Sequence, residues 1–235
     1  EPVQAPPAET PAEIHVETPA ETHPEPLVLH GRPAIGIPGR AAHELRSGAP
    51  TAPFDRPDLA LVERELAGAR VLGASARGVH HKFRGQPRQD AFGVAVREES
   101  LIVVVADGVG EFERSHVAAD LLVGVLCAGL AEGGDLEALV AAANAELFAL
   151  AADGAGPIAS TLLVAEARRL DTGALAVDLA WVGDPYAFAL RDGVWSQLNS
   201  FDSYDDAFAS TASSALPAAV PDLRRSSTEI EADAL

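Results

Sequence analysis

From Arg70 onward, apolar positions fall into short runs of strand length and two longer stretches at helical spacing. RVLGASARGV (Arg70–Val79), AFGVAV (Ala91–Val96) and LIVVVA (Leu101–Ala106) read as three strands, the last two joined by the turn REES. In SHVAADLLVGVLCAGLAEGG, Val117, Leu121, Leu122, Val125 and Leu126 recur at a helical period, with Ser115 as the expected N-cap. DLEALVAAANAELFALAADG predicts a second helix, capped by Asp135 and closed by Gly154 just past its end. Strands resume at STLLVAEARR (Ser160–Arg169) and ALAVDLAWVG (Ala174–Gly183), joined by LDTG. YAFALRDG and VWSQLN follow, split by the hairpin signal Asp192-Gly193. Residues 200–228 lose both rhythms and read as a loop or flap, and EIEADAL then opens a new alternating run. A hairpin followed by two consecutive helices and further strands is an α+β pattern.

Residues 1–67 follow neither rhythm. PAETPAEIHVETPAETHPEP is a loose Pro-Ala-Glu-Thr repeat, acidic and almost free of large apolar groups. Such a segment buries too little surface to offset its ordering entropy, so it is expected to be a disordered linker. His15, His23 and His30 within it read as solvated. LALVERELAG (Leu59–Gly68) is expected to be a short helix at the edge of a folded domain spanning 68–235.

The strand pair Ala91–Val96 and Leu101–Ala106 raises a chemical question. With the turn centred between Glu98 and Glu99, Val96 faces Leu101 and Phe92 faces Val105. One step further, Asp90 faces Asp107, and directly opposed residues share a face of the sheet with Cβ atoms roughly 4.5–5.5 Å apart. Two ionised carboxylates so close repel, so either one takes a proton or a cation sits between them. A hard divalent ion with oxygen ligands suits this pair, and Gly108 would let the backbone approach it. The alternative is a loop cap at Asp90 and an ordinary Asp-Gly turn at Asp107, each solvated.

Charge narrows the partners. The formal net charge of -18 argues against nucleic acid and against an anionic membrane surface, both of which need basic protein faces. No apolar run reaches transmembrane length. Cys127 is the sole cysteine, so neither a disulfide framework nor a cysteine zinc site can form within the chain, which fits a reducing, cytoplasmic setting.

Four elements in order, GQPRQDAF, VVVADGVG with SHVAA, ASTLLVAE and LAWVGDPYAFALRDG, resemble the metal-dependent protein serine/threonine phosphatases of the protein phosphatase 2C type. The resemblance is strongest to the bacterial branch and covers about Leu72–Leu235. It implies a four-layer α-β-β-α sandwich, two antiparallel sheets face to face with helix pairs outside. It implies hydrolysis of phosphoserine and phosphothreonine in phosphoproteins by water activated between two Mn²⁺ or Mg²⁺ ions. In the family pattern the position of Asp107 bridges both metals, Gly108 contributes its carbonyl, and Asp90 ligates metal or holds metal-bound water. No protein nucleophile is required, in agreement with the lack of Ser-His or Cys-His patterns.

The chain also departs from that pattern. Gln89 stands where many relatives carry an acid, and Gly85 where many carry a phosphate-binding arginine, leaving Arg84 and Arg88 as out-of-register candidates. Pro185 follows Val-Gly-Asp, and Asp184 reads as a strand-end turn. His80 and His81 are candidates to protonate the leaving alkoxide, His80 foremost. Ser160 and Thr161 read as small polar residues opening a strand in a tight core, and Trp181 and Trp195 as packing residues. The family supplies two more metal aspartates after an apolar strand of the kind that EIEADAL would begin, so the sequence is expected to be a C-terminally incomplete piece. The alternative function is a catalytically inactive pseudophosphatase that binds proteins.

Overall fold

The computed structural model describes residues 57–66, 68–110, 112–199, 214–231 and 235. The expectations for residues 1–56 lie outside the described residues. Twelve elements follow in order: β1 (Leu59–Leu66), β2 (Ala69–Ala76), α1 (Val79–Arg84), β3 (Ala91–Arg97), β4 (Ser100–Ala106), α2 (Ser115–Ala131), α3 (Leu136–Ala152), β5 (Leu162–Arg169), β6 (Leu175–Val182), β7 (Phe188–Arg191), β8 (Val194–Gln197) and β9 (Arg224–Ile230). The fold is α+β. A five-stranded sheet runs β3-β4-β5-β6-β9, with every neighbouring pair antiparallel, and β1-β2 and β7-β8 form two further hairpins.

Alternation decides which side of the sheet each residue serves. Ile102, Val104 and Ala106 of β4 and Leu162 and Val164 of β5 turn to one face. There they pack against Ala118, Leu122 and Leu126 of α2 and Val140, Ala143 and Leu147 of α3. Leu163, Val177, Leu179 and Trp181 turn to the opposite face, where Ala187 and Leu198 pack on them. The β3–β4 turn has the expected two residues, Glu98 and Glu99, with Glu98 at φ 54. The β7–β8 turn places both Asp192 and Gly193 at positive φ, the geometry that Asp-Gly signals.

The two long helices close differently. Asp135 caps α3 by accepting from the Ala138 amide at 2.9 Å, and Gly154 follows the helix at φ +80. Asp135→Ala is expected to cost about 1 kcal/mol, read from the shift in urea midpoint. Ser115, in contrast, is not the cap of α2. It is the first helical residue, Arg114 precedes it without a side-chain cap, and the Ser115 hydroxyl donates instead to the Val109 carbonyl at 2.8 Å. Arg114 reaches across to Asp153 at 3.0 Å, and that hydrogen bond, with one from the Ala155 amide, holds the Asp153 carboxyl below its ordinary range.

Three expectations are corrected. Leu59–Leu66 is a strand, not a helix: all eight residues pair with β2, from Leu59 opposite Ala76 to Leu66 opposite Ala69, so ordered structure has begun by Leu59. Arg224–Thr228 is not loop but most of β9, paired along β6. Trp181 is 2% exposed and packs as expected, whereas Trp195 is 60% exposed. Cys127 is half-buried, and burial pushes its thiol up to about 11, as suits a small packing residue. Among the described residues no helix is long and apolar enough to cross a membrane.

Candidate active site

The antiparallel sheet brings five strand termini to one end: the starts of β3, β5 and β9, and the ends of β4 and β6. Charged and small polar residues collect there. The β3–β4 register runs to Ala91 opposite Ala106, so Asp90 and Asp107 stand one step beyond as a facing pair. The Asp90 carboxyl stands close enough that both its hydrogen-bonding capacity and its charge favour the protonated form of Asp107.

Asp107 is exposed on one flank, yet its carboxyl is pushed up to about 7. Partial withdrawal from water is the largest cause, followed by the hydrogen bond and charge of Asp90 and then the charge of Asp184. Asp184 follows the end of β6 in a bend, as its sequence suggested, and from there its charge still bears on Asp107. Gly183 places it there: at φ +90 it lies against Thr161, where an added Cβ would come within 2.8 Å of both Thr161 Cγ2 and the Ser214 carbonyl.

The loop after β4 is fastened from below. The Asp107 carbonyl accepts from the Thr161 amide at 2.8 Å and from the Ser160 hydroxyl at 3.0 Å, and the Val109 amide donates to the Ala159 carbonyl at 2.9 Å. The Asp107 amide donates to Thr161 Oγ1 at 3.3 Å. Ser160 is fully buried, so it and Thr161 hold the Asp-Gly loop, in line with a structural reading of both. Gly108 is buried in the tightest part. A Cβ there would lie 2.9 Å from the Gln89 carbonyl oxygen, from Ser115 C and from Ser115 Cβ. Gln89 is 1% exposed and donates from Nε2 to the Phe112 carbonyl at 3.0 Å, tying the residue before Asp90 to the loop after Asp107. Its Oε1 has no hydrogen-bond partner and lies 3.8 Å from where a Gly110 Cβ would stand.

The basic candidates separate. Arg84 is exposed at the end of α1. Arg88 is 7% exposed, and its guanidinium donates to Ser75 Oγ at 2.8 Å and to the Asp90 carbonyl. His80 lies on α1 with its side chain outside the described residues. His81 is the histidine at the loop: its ring edge approaches the Gly110 Cβ position at 3.5 Å, and Nδ1 is 3.1 Å from Gln86 Oε1. Asp90 and Asp107 also border a groove of about 510 Å³ between β2 and the β3–β4 pair, walled by Leu72, Ser75 and Phe92.

Oxygen donors without sulfur or imidazole suit a hard divalent cation. A cation here would offset both the partial withdrawal of Asp107 from water and its repulsion by Asp90. These oxygen donors are of the kind Mn²⁺ or Mg²⁺ takes, and Asp90 and Asp107 are the carboxylates that would hold such an ion.

A family described as Protein phosphatase 2C matches residues 77–234. No curated protein matches the chain. Among solved structures, the chain is similar to serine/threonine phosphatase Stp1 from Staphylococcus aureus, with 15% identity over 74% of this chain and 71% of that one and a TM-score of 0.51, a likeness of fold. It is also similar to the PPM Ser-Thr phosphatase MsPP from Mycobacterium smegmatis, solved in complex with cacodylate, at 22% identity over 60% of this chain and 72% of that one with a TM-score of 0.39. A Stage II sporulation E family protein from Thermanaerovibrio acidaminovorans is 29% identical over 46% of this chain, with a TM-score of 0.38. The chain spans about half, 52%, of that protein's length.

Proposed function

Because the chain belongs to the protein phosphatase 2C family, we propose that it carries active-site residues of a metal-dependent phosphoprotein phosphatase acting on phosphoserine and phosphothreonine. The observation that supports this most is the facing pair Asp90 and Asp107 one step beyond the β3–β4 ladder, with the Asp107 carboxyl raised by burial and by Asp90. The complete fold on this reading is the four-layer sandwich, and the setting is the cytoplasm, in keeping with the single, unpaired Cys127.

Two Mn²⁺ or Mg²⁺ ions would supply an acidified water and stabilise charge developing on the phosphoryl oxygens. The chain's own residues hold and orient. Asp107 and Asp90 present carboxylates on one face of the sheet, and Gly108 keeps the backbone close enough for its carbonyl to join them. Ser160 and Thr161 fix the Asp107 backbone. Arg84, exposed at the end of α1, is the arginine open to a substrate phosphate. The α1 histidines are the candidate proton donors to the leaving alkoxide, His81 by its place over Gly110 and His80 by its place on the same helix.

The experiment is Mn²⁺-dependent phosphate release from phosphoserine and phosphothreonine peptides. Release independent of metal would overturn the reading. His81→Ala is expected to lower kcat on phosphopeptides roughly 10- to 100-fold. On p-nitrophenyl phosphate, whose leaving group departs without a proton, it should change the rate little. Equal losses on both substrates would remove His81 from the proton-donor role.

A second reading, a pseudophosphatase that binds proteins, draws on one observation: among the described residues no three His, Cys, Asp or Glu side chains converge as a metal cage. Failure of Mn²⁺ to bind, with intact folding, would favour it.

A further inference from the structure

Arg88 is a buried cation two residues from Asp90, and burying a guanidinium is costly unless its donors are matched. Its partners are specific. Nη1 donates to Ser75 Oγ at 2.8 Å and to the Asp90 carbonyl oxygen, and Nε points to the Pro57 carbonyl at 3.4 Å. Ser75 is itself buried, on β2. Arg88 therefore spans from the β1–β2 hairpin to the backbone of the very residue whose carboxyl faces Asp107. Asp90 precedes β3 and lies outside the ladder that fixes Ala91 against Ala106. From the β2 side the guanidinium anchors the Asp90 carbonyl.

We propose that Arg88 is a positioning residue: through the Asp90 carbonyl it sets the Asp90 carboxylate against Asp107, and so tunes the affinity of that pair for a divalent cation. The β1–β2 hairpin, which already walls the groove beside Asp90 and Asp107, becomes part of the metal site's support through Ser75. This inference rests on the metal-site reading above and goes beyond it, because it removes Arg88 from phosphate binding. Partners behind metal ligands commonly alter affinity about 10- to 100-fold when removed.

The test is Mn²⁺ binding to the 235-residue chain, followed by the electron paramagnetic resonance signal of free Mn²⁺. It is run well below the melting temperature of each variant, with circular dichroism confirming the fold. Arg88→Met keeps length and removes the donors, and it should weaken Mn²⁺ binding at least about tenfold. Arg88→Lys, which keeps one charge and fewer donors, should fall between parent and Met variant. Ser75→Ala should weaken binding about threefold by loosening the guanidinium, and it decides the matter with Arg88→Lys if Arg88→Met does not fold. A folded Arg88→Met protein binding Mn²⁺ within twofold of the parent would overturn the proposal and leave the phosphatase reading standing. A parent chain that binds no Mn²⁺ would overturn both. A role confined to stability would lower the melting temperature and leave Mn²⁺ affinity unchanged, which counts against positioning.

Discussion

Asp107→Asn is expected to abolish Mn²⁺-dependent phosphopeptide hydrolysis, by about 10³-fold or more, while the metal-free protein becomes more stable than the parent at pH 8. The first half follows from the site: an amide is a poor ligand for a hard dication, and loss of about 10³ in rate is about 4 kcal/mol of transition-state stabilisation. The second half follows from charge. Asp107 is raised from 3.8 to about 7, first by withdrawal from water and then by Asp90 and Asp184. A carboxyl raised on folding contributes stability that is fully present below pH 3.8 and is lost as pH rises to about 7. Above that, the metal-free protein carries crowded negative charge. Asparagine has nearly the same shape and no charge, so the variant should escape this loss. Urea denaturation at pH 5 and pH 8, without metal, checks it: the parent should lose more stability between the two values than the variant. Added Mn²⁺ should then raise the melting temperature of the parent and leave that of the variant in place. An identical pH dependence in the two proteins would show that Asp107 does not feel the repulsion assigned to it.

The Asp90–Asp107 pairing is legible in the sequence because it depends on one local hairpin. Two turn residues between alternating strands fix the register, and register fixes which carboxylates meet. Asp184 is harder to place because β5 lies between β4 and β6, so its approach to Asp107 depends on two strand pairings rather than one. A signal was nonetheless present, in Val-Gly-Asp at the end of an apolar strand. LALVEREL has apolar residues at spacings that a helix would also satisfy, and only the partner strand β2, with Gly68 at φ +71 between them, decides for a hairpin. RRSSTEI hides for the opposite reason. Its polar residues read as loop, yet β9 lies at the edge of the sheet, where alternate positions are exposed and polar side chains are tolerated. The structural use of Arg88 was invisible because Ser75 is distant in sequence and meets it only when β2 lies beside the start of β3.

Gly108→Ala should damage fold and site together, and the reason is steric rather than conformational. No positive φ is at stake at Gly108; the added methyl group would instead stand 2.9 Å from the Gln89 carbonyl oxygen and from two atoms of Ser115. These are not the tips of flexible side chains. One is the backbone leading into Asp90, and the others begin α2, whose Ser115 hydroxyl is bonded to the Val109 carbonyl. Relief therefore requires the Asp107–Val109 loop to move away from Asp90 or α2 to back off its sheet. Overpacking of this kind costs about 1–3 kcal/mol. Displacing Asp107 by a fraction of an ångström to 1 Å should cut Mn²⁺-dependent turnover about 10²-fold. Gly110→Ala is the matched control two residues on. Its Cβ would meet His81 at 3.5 and 3.7 Å and Gln89 Oε1 at 3.8 Å, which is ordinary contact. It should stay within about 1 kcal/mol of the parent. Urea midpoints for both variants and turnover on one phosphopeptide make the comparison. Equal effects at the two glycines would mean that the loop tolerates movement, and that the close approach of Gly108 to Gln89 and Ser115 does not set the position of Asp107.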